Sequence, residues 1–162
     1  MRIGVRLAVD VGQVRVGVAK SDAMGILASP VKTLLRDELE NTDIHELVDI
    51  AEELQAIEII FGFPKLLSGK EGNSAKFSQE YATLVACKLP QVSVRLVDER
   101  LSTVRAHETL RENGIKTIKH RKVIDQVAAV DILQHALDME RNTAKLPGKE
   151  VQCRESNKEQ TS

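Results

Sequence analysis

Branched apolar residues dominate Arg6 to Asp10 and Val14 to Lys20, with a turn at Gly12 between them, and the pattern predicts two antiparallel strands. Pro30 to Leu35 reads as a third. From Asn41 to Gln55 the spacing changes: Ile44, Leu47, Val48, Ala51 and Leu54 recur at helical intervals, Asp43 and Glu46 form a candidate capping pair, and the outer face is acidic. Ala56 to Phe63 is an apolar run closed by Gly62 and Pro64, as expected of a central strand buried on both faces. Gly69 and Gly72 mark a loop. Phe77, Tyr81, Leu84 and Val85 then stripe a second helix, Pro90 breaks it, and Val92 to Val97 predicts a fifth strand. Ser102 or Thr103 can cap a third helix ending at Gly114, and Lys122 to about Arg141 predicts a fourth, apolar on more than one side. A strand meander followed by alternating helices and strands implies an α/β fold, a mixed five-stranded sheet with helices on both faces.

At 162 residues the chain fits one domain, assigned here to residues 1–141, with a polar tail at 142–162 expected to be disordered. No apolar run is long enough for a membrane span and no secretory segment opens the chain, so a cytoplasmic protein is expected. Cys87 and Cys153 lack metal or redox spacing and read as reduced thiols. The net charge of −1 hides an asymmetry: Asp37 to Glu58 holds nine acids and no Lys or Arg. The other parts carry 23 basic against 15 acidic residues, with Lys116, Lys119, Arg121 and Lys122 close together. Such a surplus suits a polyanion. Phe61, Phe63, Phe77 and Tyr81 are too few and too apolar in setting for a base-stacking platform, so contact with a nucleic-acid backbone fits better.

Three carboxylate positions stand out. Asp10 lies where an apolar strand meets a glycine turn, and Asp98 with Glu99 stands at the end of another strand, before a helix start. Because side chains alternate, Asp98 and Glu99 point to opposite sides, and only one of them can share a face with Asp10. Asp125 lies on an apolar helix with Ala128 and Ala129 following, a face able to approach the sheet closely. A carboxylate there is costly unless paired, hydrated or bound to a cation. Three such acids without a Cys or His partner suit Mg2+ or Mn2+, the apparatus of metal-assisted phosphodiester cleavage. Gly12 to Gly17 has the spacing of a phosphate-binding loop, but Val18 and Ala19 replace its Lys and Ser/Thr. His45, His107, His120 and His135 form no metal-binding pair.

The segments Val9 to Ala19, Gly62 to Pro64, Asp98 to Thr103 and Ile124 to Ala129 together resemble the YqgF/RuvX family, with the resemblance running from about Leu7 to Leu137. It implies a ribonuclease H-like fold related to the RuvC resolvases. It also implies a metal-dependent nuclease that processes the 5′ end of precursor 16S ribosomal RNA in ribosome biogenesis, with Holliday junction resolution as the alternative. On that resemblance Asp10, Glu99 and Asp125 are the catalytic metal ligands, with Asp98 in the same acidic motif as a further metal candidate. Arg15, Lys65, Arg100, Lys119, Arg121 and Lys122 would position the substrate. Gln13 and Val14 depart from the family's usual Thr and Lys. The expected partners are precursor rRNA or branched DNA and a ribosomal subunit, with the protein a monomer or homodimer. Two other classes stay open: a non-catalytic ribosome-assembly factor with the same basic surface, and an actin-like or sugar-kinase-like nucleotide hydrolase, whose two lobes need far more chain.

Overall fold

The computed structural model describes residues 2–64, 72–98 and 118–153, with side chains in the last segment from 126 onward. Strands β1 (Arg6–Val11), β2 (Arg15–Ser21) and β3 (Ala28–Leu35) form the meander. Helix α1 (Thr42–Glu53), β4 (Glu58–Phe63), α2 (Asn73–Lys88) and β5 (Ser93–Asp98) follow, then α3 (Ile118–Thr143) and β6 (Lys149–Glu150). The expected helix from Ser102 to Gly114 lies outside the described residues. The sheet order is β3-β2-β1-β4-β5-β6. β1 pairs antiparallel with β2 and parallel with β4, and β4 pairs parallel with β5.

Alternation along the strands divides two cores. Leu7, Val9, Val11, Val16, Val18, Phe61, Phe63, Val94 and Leu96 pack with α1 and α2 on one face. Ala8, Ala19, Ala28, Ile60 and Val97 pack with Ala129, Ile132, Leu133 and Ala136 of α3 on the other. The alanines on the second face bring α3 close to the sheet. At the far end of α3, Glu140 pairs with Arg6, 3.2 Å away, and with Arg2. Arg2 also donates to both carboxylate oxygens of Glu58 at 3.1 and 3.2 Å. Arg6, Glu58 and Glu140 are all buried, so none of these charges is met by bulk water. No described helix is long and apolar enough to cross a membrane.

Four sequence expectations are corrected. The sheet has six strands rather than five, because Arg95 and Leu96 pair with Glu150 and Lys149 of β6. The polar stretch from Asn142 to Cys153 is ordered: α3 runs to Thr143, Arg95 donates to the carbonyls of Pro147 and Gly148, and Val151 N–H bonds to Val94. Gly148 has φ +64°, and a Cβ there would fall 2.0 Å from the Leu96 carbonyl oxygen, so only glycine lets the strap lie this close. Cys87 and Cys153 are joined in a disulfide across 66 residues of chain, with Cα atoms 4.7 Å apart, rather than held as reduced thiols. Asp43 is no cap either. Asn41 caps α1 without a side-chain bond, while buried Asp43 accepts from Arg36 at 2.9 Å and from the Tyr81 hydroxyl at 2.8 Å. Burial and that bond raise the Tyr81 pKa well above the usual phenol range, and the Arg36 guanidinium stacks 5.0 Å from its ring centroid.

Two stability predictions follow from these contacts. Replacing Cys153 by Ser should lower unfolding free energy by about 4 kcal/mol, the loop-closure entropy for a ring of this length, and the difference should vanish in reductant. Urea unfolding of both proteins with and without dithiothreitol measures it. Glu140→Ala, which strands buried Arg6, should cost about 3–5 kcal/mol in the same assay.

Candidate active site

Asp10 occupies the fifth position of β1, with Ala8 two residues before it in the α3-side core. Alternation therefore puts the Asp10 carboxylate on the α3 face. Its cross-strand neighbour on β2 is Gly17, which follows Val16 of the opposite core. On β4, Val9 lies beside Phe61, so Asp10 is followed across the sheet by Gly62, which sits between two phenylalanines of the opposite core. Both neighbours on the α3 face thus lack side chains. The half-buried carboxylate stands in a trough floored by backbone, the use to which interior-strand glycines are put where a ligand approaches closely. The same row continues to Thr33 on β3 and Val97 on β5.

The hairpin at the end of β1 closes tightly: Gly12 N–H donates to the Arg15 carbonyl at 2.9 Å, and a Cβ on Gly12 would come within 2.8 Å of that oxygen. Arg15 has the parity of Gly17, which puts it on the face of Asp10 at the mouth of the trough. Asp98, last in β5, has the parity of Leu96 and so leaves the strand on the α1 and α2 face, opposite Asp10. Asp125, Lys119, Arg121 and Lys122 fall in the first part of α3. That helix runs antiparallel to β1, since Glu140 meets Arg6 at the start of the strand, and its first turns belong at the Asp10 end. Glu99, Lys65, Arg100 and Lys116 lie outside the described residues.

The donor chemistry near the trough is oxygen. Among the described residues both cysteines are consumed in the disulfide, and His45 and His135 are exposed on helices. No cluster of three potential metal ligands occurs among the described residues, which hold the side chain of only one of the three expected acids. Asp10, the one described side chain of that set, offers only carboxylate oxygen, which fits a hard, oxygen-seeking cation such as Mg2+ or Mn2+.

Sequence reasoning passed over Gly17 and Gly62 as site residues. Their signal was a glycine flanked on both sides by large apolar residues inside a strand, Val16-Gly17-Val18 and Phe61-Gly62-Phe63.

Residues 4–139 match the family model of RuvX, described as Holliday junction resolvase. A relative from Frankia casuarinae, named as a candidate pre-16S rRNA nuclease, is 50% identical over 140 residues, covering 86% of this chain and 69% of its own. One from Nocardioides with the same name is 46% identical over 154 residues, covering 94% and 99%. Among solved structures, Thermus thermophilus RuvC in complex with a Holliday junction substrate superposes with a TM-score of 0.53 at 12% identity, covering 91% of this chain and 99% of that one. This likeness shows a shared fold.

If the cleared trough is what admits a cation, Gly62→Ala and Gly62→Val should weaken Mn2+ binding in that order, the valine by about 10-fold or more. Overpacking should lower stability by about 1–3 kcal/mol, leaving both variants folded. Mn2+ titration followed by electron paramagnetic resonance, with thermal unfolding as control, checks both.

Proposed function

The chain belongs to the RuvX family, and from that premise we propose that it is a metal-dependent endonuclease that cuts precursor 16S rRNA near its 5′ end. The observation that carries the chemistry is Asp10 standing between Gly17 and Gly62 at the end of β1, on the face covered by α3. The names of the relatives support rRNA as substrate.

Asp10, Glu99 and Asp125 are the residues that would hold the cations. Glu99 is preferred to Asp98 because Asp98 follows Val97 of the α3-side core and so leaves its strand on the face opposite Asp10. A divalent cation held there would supply positive charge to offset that of the phosphodiester and would ease deprotonation of a water nucleophile. The carboxylates fix where that charge sits and offset the repulsion a bare acidic trough would exert on a phosphodiester. Arg15 at the trough mouth holds a flanking phosphate. Lys65, Arg100, Lys119, Arg121 and Lys122 extend that grip along the backbone. Contacts of this kind orient a strand without reading its bases, so the cleavage site is chosen by RNA shape.

A second substrate is supported by the family description and by the RuvC structure solved with a junction: a four-way DNA junction. Labelled precursor rRNA and a labelled junction, each incubated with the protein and Mg2+ or Mn2+, separate the two. Asp10→Asn should lower the rate on the true substrate by about 100-fold or more, at or beyond the upper end of what losing even an indirect partner of a metal ligand costs, while substrate binding and thermal unfolding change little. Cleavage retained by that variant would overturn the assignment.

A further inference from the structure

We infer that Gln126 is a positioning residue: its side chain pins the start of α3 to the Asp10 row of the sheet and thereby sets the height above that row of the helix turn that carries Asp125. The inference rests on Asp125 being a metal ligand. Gln126 Nε2 donates to Thr33 Oγ1 at 3.0 Å, across 93 residues of chain. Thr33 is the cross-strand neighbour of Gly17, and Gly17 is that of Asp10. One hydrogen bond therefore ties the residue after Asp125 to the row of backbone in which Asp10 lies.

Three further clamps fix the same helix, each at least eight residues beyond Gln126, and one of them is Arg141, whose guanidinium donates to the Gly25 and Ile26 carbonyls at 3.1 and 3.4 Å. Gln134 Oε1 accepts from Ala28 N–H at 2.9 Å while its Nε2 donates to the Ile26 carbonyl at 3.0 Å. Glu140 meets Arg6 at the opposite end of β1. Gln134 is eight residues from Gln126, or about 12 Å of helix, and Glu140 fourteen, or about 21 Å. A helix held only there can tilt or rotate at its free end. The apolar contacts below Gln126 are small: Ala128 and Ala129 give contact but little steric registry, because alanine neither interlocks nor resists sliding. A directional bond between an amide and a hydroxyl supplies that registry, and a shift of about 1 Å in a ligand is enough to spoil a metal site.

The test reads metal affinity rather than turnover alone. Gln126→Ala and Thr33→Val should each weaken Mn2+ binding about 10-fold to 100-fold, as loss of a partner that orients a ligand does. The double variant should be no worse than the weaker single one, and Thr33→Ser, which keeps the hydroxyl, should restore affinity. kcat at saturating metal should fall with little change in KM for the nucleic acid, and thermal midpoints report that each variant is folded. Asp125→Asn is measured beside them. If Asp125→Asn weakens binding while Gln126→Ala and Thr33→Val do not, the positioning role is overturned and the metal reading stands. If Asp125→Asn leaves Mn2+ affinity unchanged, the metal role of Asp125 fails and the inference with it.

Discussion

The arrangement depends first on a cluster of buried charge at the foot of the sheet. Arg2 and Arg6 enclose Glu58 from β4 and Glu140 from α3, and the two cations and two anions cancel. Ion pairs withdrawn from water seldom add net stability, because desolvation consumes the attraction. What they add here is registry. Alanines let α3 approach the sheet closely, Ile132, Leu133 and Leu137 interlock with it, and charges that cannot be unpaired without leaving one stranded add a further restraint on sliding. Since α3 and β1 run antiparallel, this restraint fixes one end of the pair, and the Gln126–Thr33 bond fixes the other, where Asp10 lies.

The upper end is built by omission. Two glycines and a hairpin closed by a third strip side chains from around one carboxylate, so that what approaches it meets backbone. The local rules of strand composition are broken at Gly17 and Gly62 and kept in the flanking residues of the same strands, as happens where a sheet serves a site rather than its own packing.

Much of this was legible beforehand, and for identifiable reasons. β1, β2, β4 and β5 announce themselves as apolar runs bounded by turn residues and α1 by its helical spacing, and Asp10 was marked by its place at a strand end. What escaped was non-local. Lys149 and Glu150 have no apolar pattern, and β6 exists because Gly148 fits against Leu96 and Arg95 reaches back to the strap. Asp43 looks like a cap until Arg36 and Tyr81, the latter 38 residues away, surround it. The face on which Asp98 leaves its strand needed the core to which Val97 belongs, which periodicity in a six-residue strand cannot name. The pairing of Cys87 with Cys153 carries no spacing signal at all.

The disulfide has a topological consequence. From Cys87 to Cys153 the chain is a covalent ring that contains β5, Glu99, Asp125 and all of α3. A protease that severs one peptide bond anywhere within it produces no free fragment: the two pieces stay joined through sulfur, and α3 stays clamped to β1 by Glu140. In its oxidised form, then, the half of the molecule that carries two of the three acids can be broken without being lost.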